Sequence, residues 1–414
     1  MAMFDEVERA ALRQQIDQNM QADGTILTDL ITDIRRYGIR SAARRIQNYT
    51  LTSIAIVSTD GGNHKFVFNP FRSQLIRVVD SAGQTLGLKA ITLTTDLQAL
   101  SRSEFTGGAN GGPTAVGLLM RDLGDALGEK IEHLHQICPS IPETIPTQTD
   151  ERDPTGWVVS YRDLWEWAVL YERIMHVTFP QSTLIIRDGL LRTKLFAKNY
   201  FRIIGDLIAE RLAFIRNRER KDIYLVGLAK TSSVIDRYEL VFAMEDIFPE
   251  GSPYYVRIPR DMEAQAYNFP EFARGRERLP QPSMSRDTTG RLTFHMPNGG
   301  SASEDSKFVF GSMFLARLSA SVAAPLWAVD IFDDQLQAAD RVMACLLGDA
   351  RDGFPIPCYP NAIQRAHDAA KLTDLDVEIL NAMTMNSIRN LVGTKHDTVI
   401  DRIQLSGDLT GRRY

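Results

Sequence analysis

Leu51-Thr-Ser-Ile-Ala-Ile-Val-Ser-Thr-Asp60-Gly-Gly-Asn-His-Lys65-Phe-Val-Phe-Asn-Pro70-Phe-Arg-Ser-Gln-Leu75-Ile-Arg-Val-Val-Asp80 is the stretch on which the fold turns. It is short-period and rich in β-branched residues, and it reads as three strands: Leu51 to Thr59, Lys65 to Asn69 and Gln74 to Asp80. Asp60-Gly61-Gly62-Asn63 between the first two has the composition of a tight turn. A fourth strand is expected at Leu88 to Thr94. Strands joined this closely are antiparallel neighbours, because a parallel return needs a crossover of a dozen or more residues.

Downstream the pattern changes. Tyr161 to Met175 has helical periodicity, Thr183 to Arg187 is a buried strand, Leu195 to Arg216 is a long helix, and Ile223 to Ala229 is a second buried strand. Near-continuous apolar strands separated by helices belong to a sheet covered on both faces. Hairpins first and helix-linked strands second give an α/β mixed sheet flanked by helices, the order of ribonuclease H-like cores. That comparison is an analogy of fold and sets no chemistry.

Residues 5 to 47 form an N-terminal helical segment whose end is basic, with Arg35, Arg36, Arg40, Arg44 and Arg45. Such a run is a solvated helical face paired with acids, or a contact to phosphate. A helix over Ala115 to His135 follows the Gly107 to Pro113 loop, and Pro139 to Pro154 reads as a surface connection. Residues 247 to 306 read as an insert, with one strand at Tyr254 to Ile258. Two more strands, Lys307 to Leu318 and Pro325 to Phe332, precede a C-terminal helical region over Asp334 to Leu347, Pro360 to Lys371 and Asp374 to Leu391. The expected division is an N-terminal segment 1–50, one domain 51–390 carrying the insert at about 247–306, and a tail 391–414.

Composition narrows the class. With 44% hydrophobic and 24% charged residues in 414, the chain is neither disordered nor collagen-like. It has no apolar run of the roughly 18 residues that a spanning helix needs. Its start is acidic where a secretory signal is basic and then apolar, so a cytoplasmic protein is expected. Three scattered cysteines, Cys138, Cys345 and Cys358, make no disulfide framework. Lys and Arg number 47 against 52 Asp and Glu, a net charge of −5, so contact with nucleic acid has to be local or shared with a partner.

Five residues are placed to carry chemistry. Asp60 follows the apolar Ile54-Ala-Ile-Val57, and Asp188 follows Leu184-Ile-Ile-Arg187; each acid is trailed by glycine. Strand-end carboxylates beside glycines suit a divalent cation held against a phosphate, although Asp-Gly is also a common hairpin turn. Were the two strands neighbours, the acids would repel unless a cation or a proton came between them. Glu166, between Trp165 and Trp167 on a helix, is the third carboxylate, with Glu172 as its rival. Lys230 ends the next buried strand and suits a scissile phosphate, or snorkels to solvent. His367, in Ile363-Gln-Arg-Ala-His-Asp, suits proton transfer, or is a plain core histidine.

The ordered set resembles the NurA family of DNA-end nucleases: Asp60 in IVSTDGG, the Trp-Glu helix, Asp188 in LIIRDGLL, Lys230 in GLAKTS and His367 in GFPIPCYPNAIQRAHDAAKL. The resemblance covers most of residues 50 to 375. It implies a ribonuclease H-like core, Mn²⁺- or Mg²⁺-dependent hydrolysis of DNA, a homodimer, and association with the hexameric ATPase HerA in DNA end resection, DNA repair or phage defence. It assigns Asp60, Glu166 and Asp188 to the metal and adds Lys230 and His367 to the catalytic set. Two positions depart from the family pattern, Gly62 where a serine is usual and Phe354 where a tyrosine is usual. Two cations would divide the work, one activating water and the other stabilising the leaving oxygen. The chain has no Gly-x-x-x-x-Gly-Lys-Ser/Thr loop, so ATP hydrolysis falls to another chain. The alternative reading is a non-catalytic assembly subunit that docks on a HerA-like ring.

Overall fold

The structure, a computed structural model, describes residues 5–22, 24–47, 54–68, 71–92, 94–108, 111–144, 156–263, 265–266, 283–286, 292–295, 308–351 and 358–393. Most of the expected surface connection, much of the 247–306 insert, Phe354 and the tail beyond residue 393 lie outside the described residues. The strands are β1 Arg44–Arg45, β2 Ala55–Phe68, β3 Phe71–Asp80, β4 Thr85–Thr92, β5 Thr183–Asp188, β6 Ile223–Ala229, β7 Tyr254–Arg257, β8 Ser283–Arg286, β9 Leu292–His295, β10 Gly311–Arg317 and β11 Trp327–Phe332. The helices are α1 Glu6–Ala22, α2 Gly24–Arg36, α3 Ile39–Ala42, α4 Leu97–Glu104, α5 Ala115–Leu127, α6 Leu134–Ile137, α7 Trp157–His176, α8 Tyr200–Phe214, α9 Ser233–Met244, α10 Ala339–Arg351, α11 Asn361–Ala370 and α12 Asp374–Val392.

The chain divides into two units. One is built on β1, β6–β11, α1–α3, α9 and α10, together with Asp188–Arg192, which begins at the last residue of β5; the other is built on β2, β3, β4, the rest of β5, α4–α8, α11 and α12. In the second unit, β2, β3 and β4 form an antiparallel meander, and β5 lies parallel to β2 on its other side. The order β4-β3-β2-β5 is the hairpin-first, mixed arrangement expected from the sequence. In the first unit, β6, β11, β10, β7 and β1 pair antiparallel throughout.

The turn expected after the first strand is corrected. Asp60-Gly61-Gly62-Asn63 is not a turn: it lies inside a single 14-residue β2, with Asp60, Gly61 and Gly62 opposite Val79, Val78 and Arg77 of β3. The glycines serve close approach instead of reversal. A Cβ on Gly61 would lie 2.4 Å from Oε1 of Glu166 on α7, and one on Gly62 would lie 2.3 Å from the carbonyl oxygen of Ala370 on α11. Successive residues of a strand face opposite sides. Gly61 therefore admits α7 on one face of the sheet, and Gly62 admits α11 on the other.

The helix expected over Ala115 to His135 stops at Leu127. Gly128, at φ 64°, takes the left-handed conformation, and its N–H closes the last turn on Asp125. Thr114 caps the other end by accepting from the Gly117 N–H. The core of this unit holds a fully buried Glu104, which accepts from the hydroxyls of Tyr161 and Thr114 and pairs with Lys89 at 3.1 Å. In the first unit, α2 and α9 pack through Leu30, Ile34, Val234, Tyr238 and Val241 onto Met313 and Leu315 of β10. The basic run after α2 is largely neutralised. Arg35 makes two 2.8 Å bonds to Glu245, Arg40 lies 3.5 Å from Asp246, and Arg44 lies 3.9 Å from Asp340. No helix among the described residues is long and apolar enough to cross a membrane.

Candidate metal centre

The parallel register of β2 and β5 sets the two aspartates. Thr59 is opposite Arg187, so the next residue on each strand is an acid, Asp60 on β2 and Asp188 on β5. α11 completes the group with His367, from its last turn. Asp60, Asp188 and His367 each offer a ligand atom, and the three atoms lie within 4.8 Å of one another. Asp60 is held through both oxygens. Oδ1 accepts the Gly61 N–H at 2.7 Å, and Oδ2 lies 2.8 Å from His367 Nδ1.

These donors fit a divalent cation. Two carboxylates this close repel unless a positive charge or a proton intervenes. Two oxygen donors and one imidazole suit Mg²⁺ or Mn²⁺ better than the sulfur-rich sets that select zinc. The group is half-buried, with 34% of the His367 side chain and 13% of the Asp60 side chain open to solvent.

Glu166 stands apart from this group. Its carboxylate lies beneath Gly61, on the face of β2 opposite the one Gly62 presents to α11, and two arginines bracket it, Arg162 at 3.4 Å and Arg187 at 3.6 Å. Burial pushes the Glu166 carboxyl up to about 8; Arg187 opposes the rise, while the charges of Asp163 and, less strongly, Asp60 add to it. A carboxylate among tryptophans needs a partner, and here the partner is guanidinium: Arg187 also stacks over the Trp167 ring at 4.3 Å. Glu172 lies six residues further along α7, about 240° round the helix from Glu166. Its carboxyl is raised mainly by its own burial, against the charges of Arg173 and His176.

Lys230 directly follows β6 in the first unit, with its ammonium 4.6 Å over the ring of Tyr359. The structure thus brings Asp60, Asp188 and His367 together, and it sets Glu166 behind the strand that carries Asp60. Sequence reasoning passed over Arg162, Arg187 and Arg77. Arg187 directly precedes Asp188 on a strand, so a residue aimed at the opposite face was readable from the period of two. Arg77 left no such signal, because its partner is a backbone carbonyl 292 residues away, that of Ala369.

No protein-family model matches the sequence, and no curated protein matches it. Among solved structures the chain is similar to the NurA nuclease from Sulfolobus solfataricus, with 13% identity, 95% of this chain and 99% of that chain covered, and a TM-score of 0.37. It is similar to a NurA crystal structure with 8% identity, coverage of 94% and 99%, and a TM-score of 0.41. It is also similar to NurA bound to dAMP and manganese, with 8% identity, coverage of 87% and 94%, and a TM-score of 0.36.

Proposed function

We propose that this chain is a divalent-cation-dependent nuclease of NurA type, hydrolysing DNA at its ends. The observation that carries the reading is the convergence of Asp60, Asp188 and His367 within 4.8 Å. Asp60 and Asp188 supply the oxygen donors and His367 the third ligand, for Mn²⁺ or Mg²⁺. Bound there, such a cation neutralises phosphate charge and lowers the pKa of water. The protein's own part is positioning: the Gly61 N–H and His367 fix the Asp60 carboxylate, and the parallel register fixes Asp188 beside it. Glu166, its carboxyl raised by burial and held by arginines, supports the backbone at Gly61 from behind. Lys230 is assigned to the DNA phosphate.

A net charge of −5 leaves few spare cations for gripping DNA, and phosphate contacts provide most non-specific affinity. A HerA-like hexameric ATPase that feeds DNA to a homodimer of this chain would remove that need, in DNA repair or in phage defence. The test is loss of linear DNA in Mn²⁺. Asp60→Asn and Asp188→Asn are each expected to lower the rate about a hundredfold or more, beyond the loss typical of groups that merely support a metal ligand. Wild-type rates in both variants would refute the assignment. DNA left intact by the wild-type chain, alone and with the ATPase and ATP, would make it a docking subunit instead.

A further inference from the structure

We infer that Gly62 and Arg77 are positioning residues that seat the last turn of α11 on the sheet and thereby hold His367 at Asp60; the inference rests on the metal-site reading above. Asp60 and Gly62 are two apart on β2 and share a face, while His367 and Ala370 are three apart on α11 and are neighbours on its surface. The two pairs meet in order. Asp60 Oδ2 lies 2.8 Å from His367 Nδ1, and the Ala370 carbonyl oxygen occupies the space above Gly62, 2.3 Å from where a Cβ would stand. The Ala370 carbonyl carbon would be 3.2 Å from that Cβ, so the obstacle is backbone and not a side chain that can swing away.

Arg77 pins the same turn from the adjacent strand. It is the β3 partner of Gly62, and its Nη1 donates to the Ala369 carbonyl at 2.9 Å. A guanidinium at the carbonyl end of a helix satisfies an otherwise orphaned acceptor and suits the negative pole there. Its other nitrogens lie 3.4 Å from the Thr85 hydroxyl, which keeps the fork in place. One residue that is absent above Cα and one cation thus determine how closely α11 lies on β2. That spacing is the spacing of the imidazole from the carboxylate.

The consequence is measurable without catalysis. Gly62→Ala is expected to lift the α11 turn and weaken Mn²⁺ binding to the metal-free protein about tenfold, the scale at which groups supporting a metal ligand act. Arg77→Gln should weaken it in the same direction, and Arg77→Lys, which keeps a cation at the carbonyl, should restore part of the loss. The decisive arm is a cycle with His367→Ala. If Gly62 acts through His367, then Gly62→Ala changes Mn²⁺ affinity no further once His367 is gone, whereas a general structural defect would add to it. Titration calorimetry with Mn²⁺, with thermal midpoints beside it, reads all arms. Unchanged affinity in both Gly62→Ala and Arg77→Gln, or full additivity with His367→Ala, overturns the inference while leaving the metal site standing. A wild-type protein that binds no Mn²⁺ overturns both.

Discussion

Replacing Arg192 by methionine would strip one cation from between two buried carboxylates. Arg192 donates to Asp330 through Nε at 2.9 Å and Nη2 at 2.5 Å, and through Nη1 to Glu263 at 3.1 Å. The Asp330 side chain is wholly buried, and 3% of the Glu263 side chain is exposed. Removing one partner of a buried pair costs about 3–5 kcal/mol, because the remaining charge is left uncompensated. The loss should depend on pH in a definite direction. Burial already raises the Glu263 carboxyl above its ordinary range, and Arg192 is the largest influence lowering it. Without Arg192 the rise is larger. A carboxyl raised in the folded state costs nothing below its unfolded pKa of about 4.3 and exerts its full cost above its folded pKa. The deficit of Arg192→Met is therefore expected at pH 7.5 and should shrink by about 1.4 kcal/mol for each pH unit through which the extra rise is relieved. Urea unfolding at pH 7.5 and pH 5.0, followed by tryptophan fluorescence, measures it. Trp327 on β11 reports the first unit, while Trp157, Trp165 and Trp167 on α7 report the second. A deficit under about 1 kcal/mol, or one equal at the two pH values, would refute the electrostatic account.

Gly61→Ala should cost about 1–3 kcal/mol by overpacking against the Glu166 carboxylate, read as a drop in thermal midpoint. Gly61→Ala combined with Glu166→Ala should be no less stable than Glu166→Ala alone, since the clashing atoms are then gone; a further drop would place the cost elsewhere. Cys138 and Cys345 are buried, and burial pushes both thiols up to about 11. With so little thiolate at pH 8, both should resist a disulfide reagent in the native protein, and only Cys358, which is partly exposed, should react quickly. Three fast thiols would contradict the burial.

The sequence was most legible where one element's own period decides its state. Thr183 to Arg187 and Ile223 to Ala229 are apolar runs that no exposed segment tolerates, and they became β5 and β6 within a residue of the expected bounds. Asp60 and Asp188 were visible for the same reason, as acids trailing apolar runs; their adjacency depended only on β2 and β5 being neighbours, although Asp188 ends its strand and Asp60 lies inside its own. Failure came where a residue type has two uses. Asp60-Gly61-Gly62-Asn63 has the composition of a turn, yet its glycines are there because α7 and α11 press on the strand from either side, and neither contact is local in the chain. Glu166 was expected beside the aspartates as a third carboxylate, and it lies against Gly61 of β2, but helical spacing alone did not reveal on which side of the sheet it would lie. His367 was one candidate among several until α11 was placed over Asp60.

The pleat of β2 gives consecutive residues separate audiences. Asp60 looks toward an imidazole, and Gly61 toward a protonatable carboxyl gripped by two guanidinium groups. A slip of a single position in this strand would exchange the two views, turning the aspartate toward the arginines and leaving the histidine opposite bare glycine hydrogens. Any insertion or deletion between Ala55 and Asp60 therefore reads as a change of chemistry and not of length.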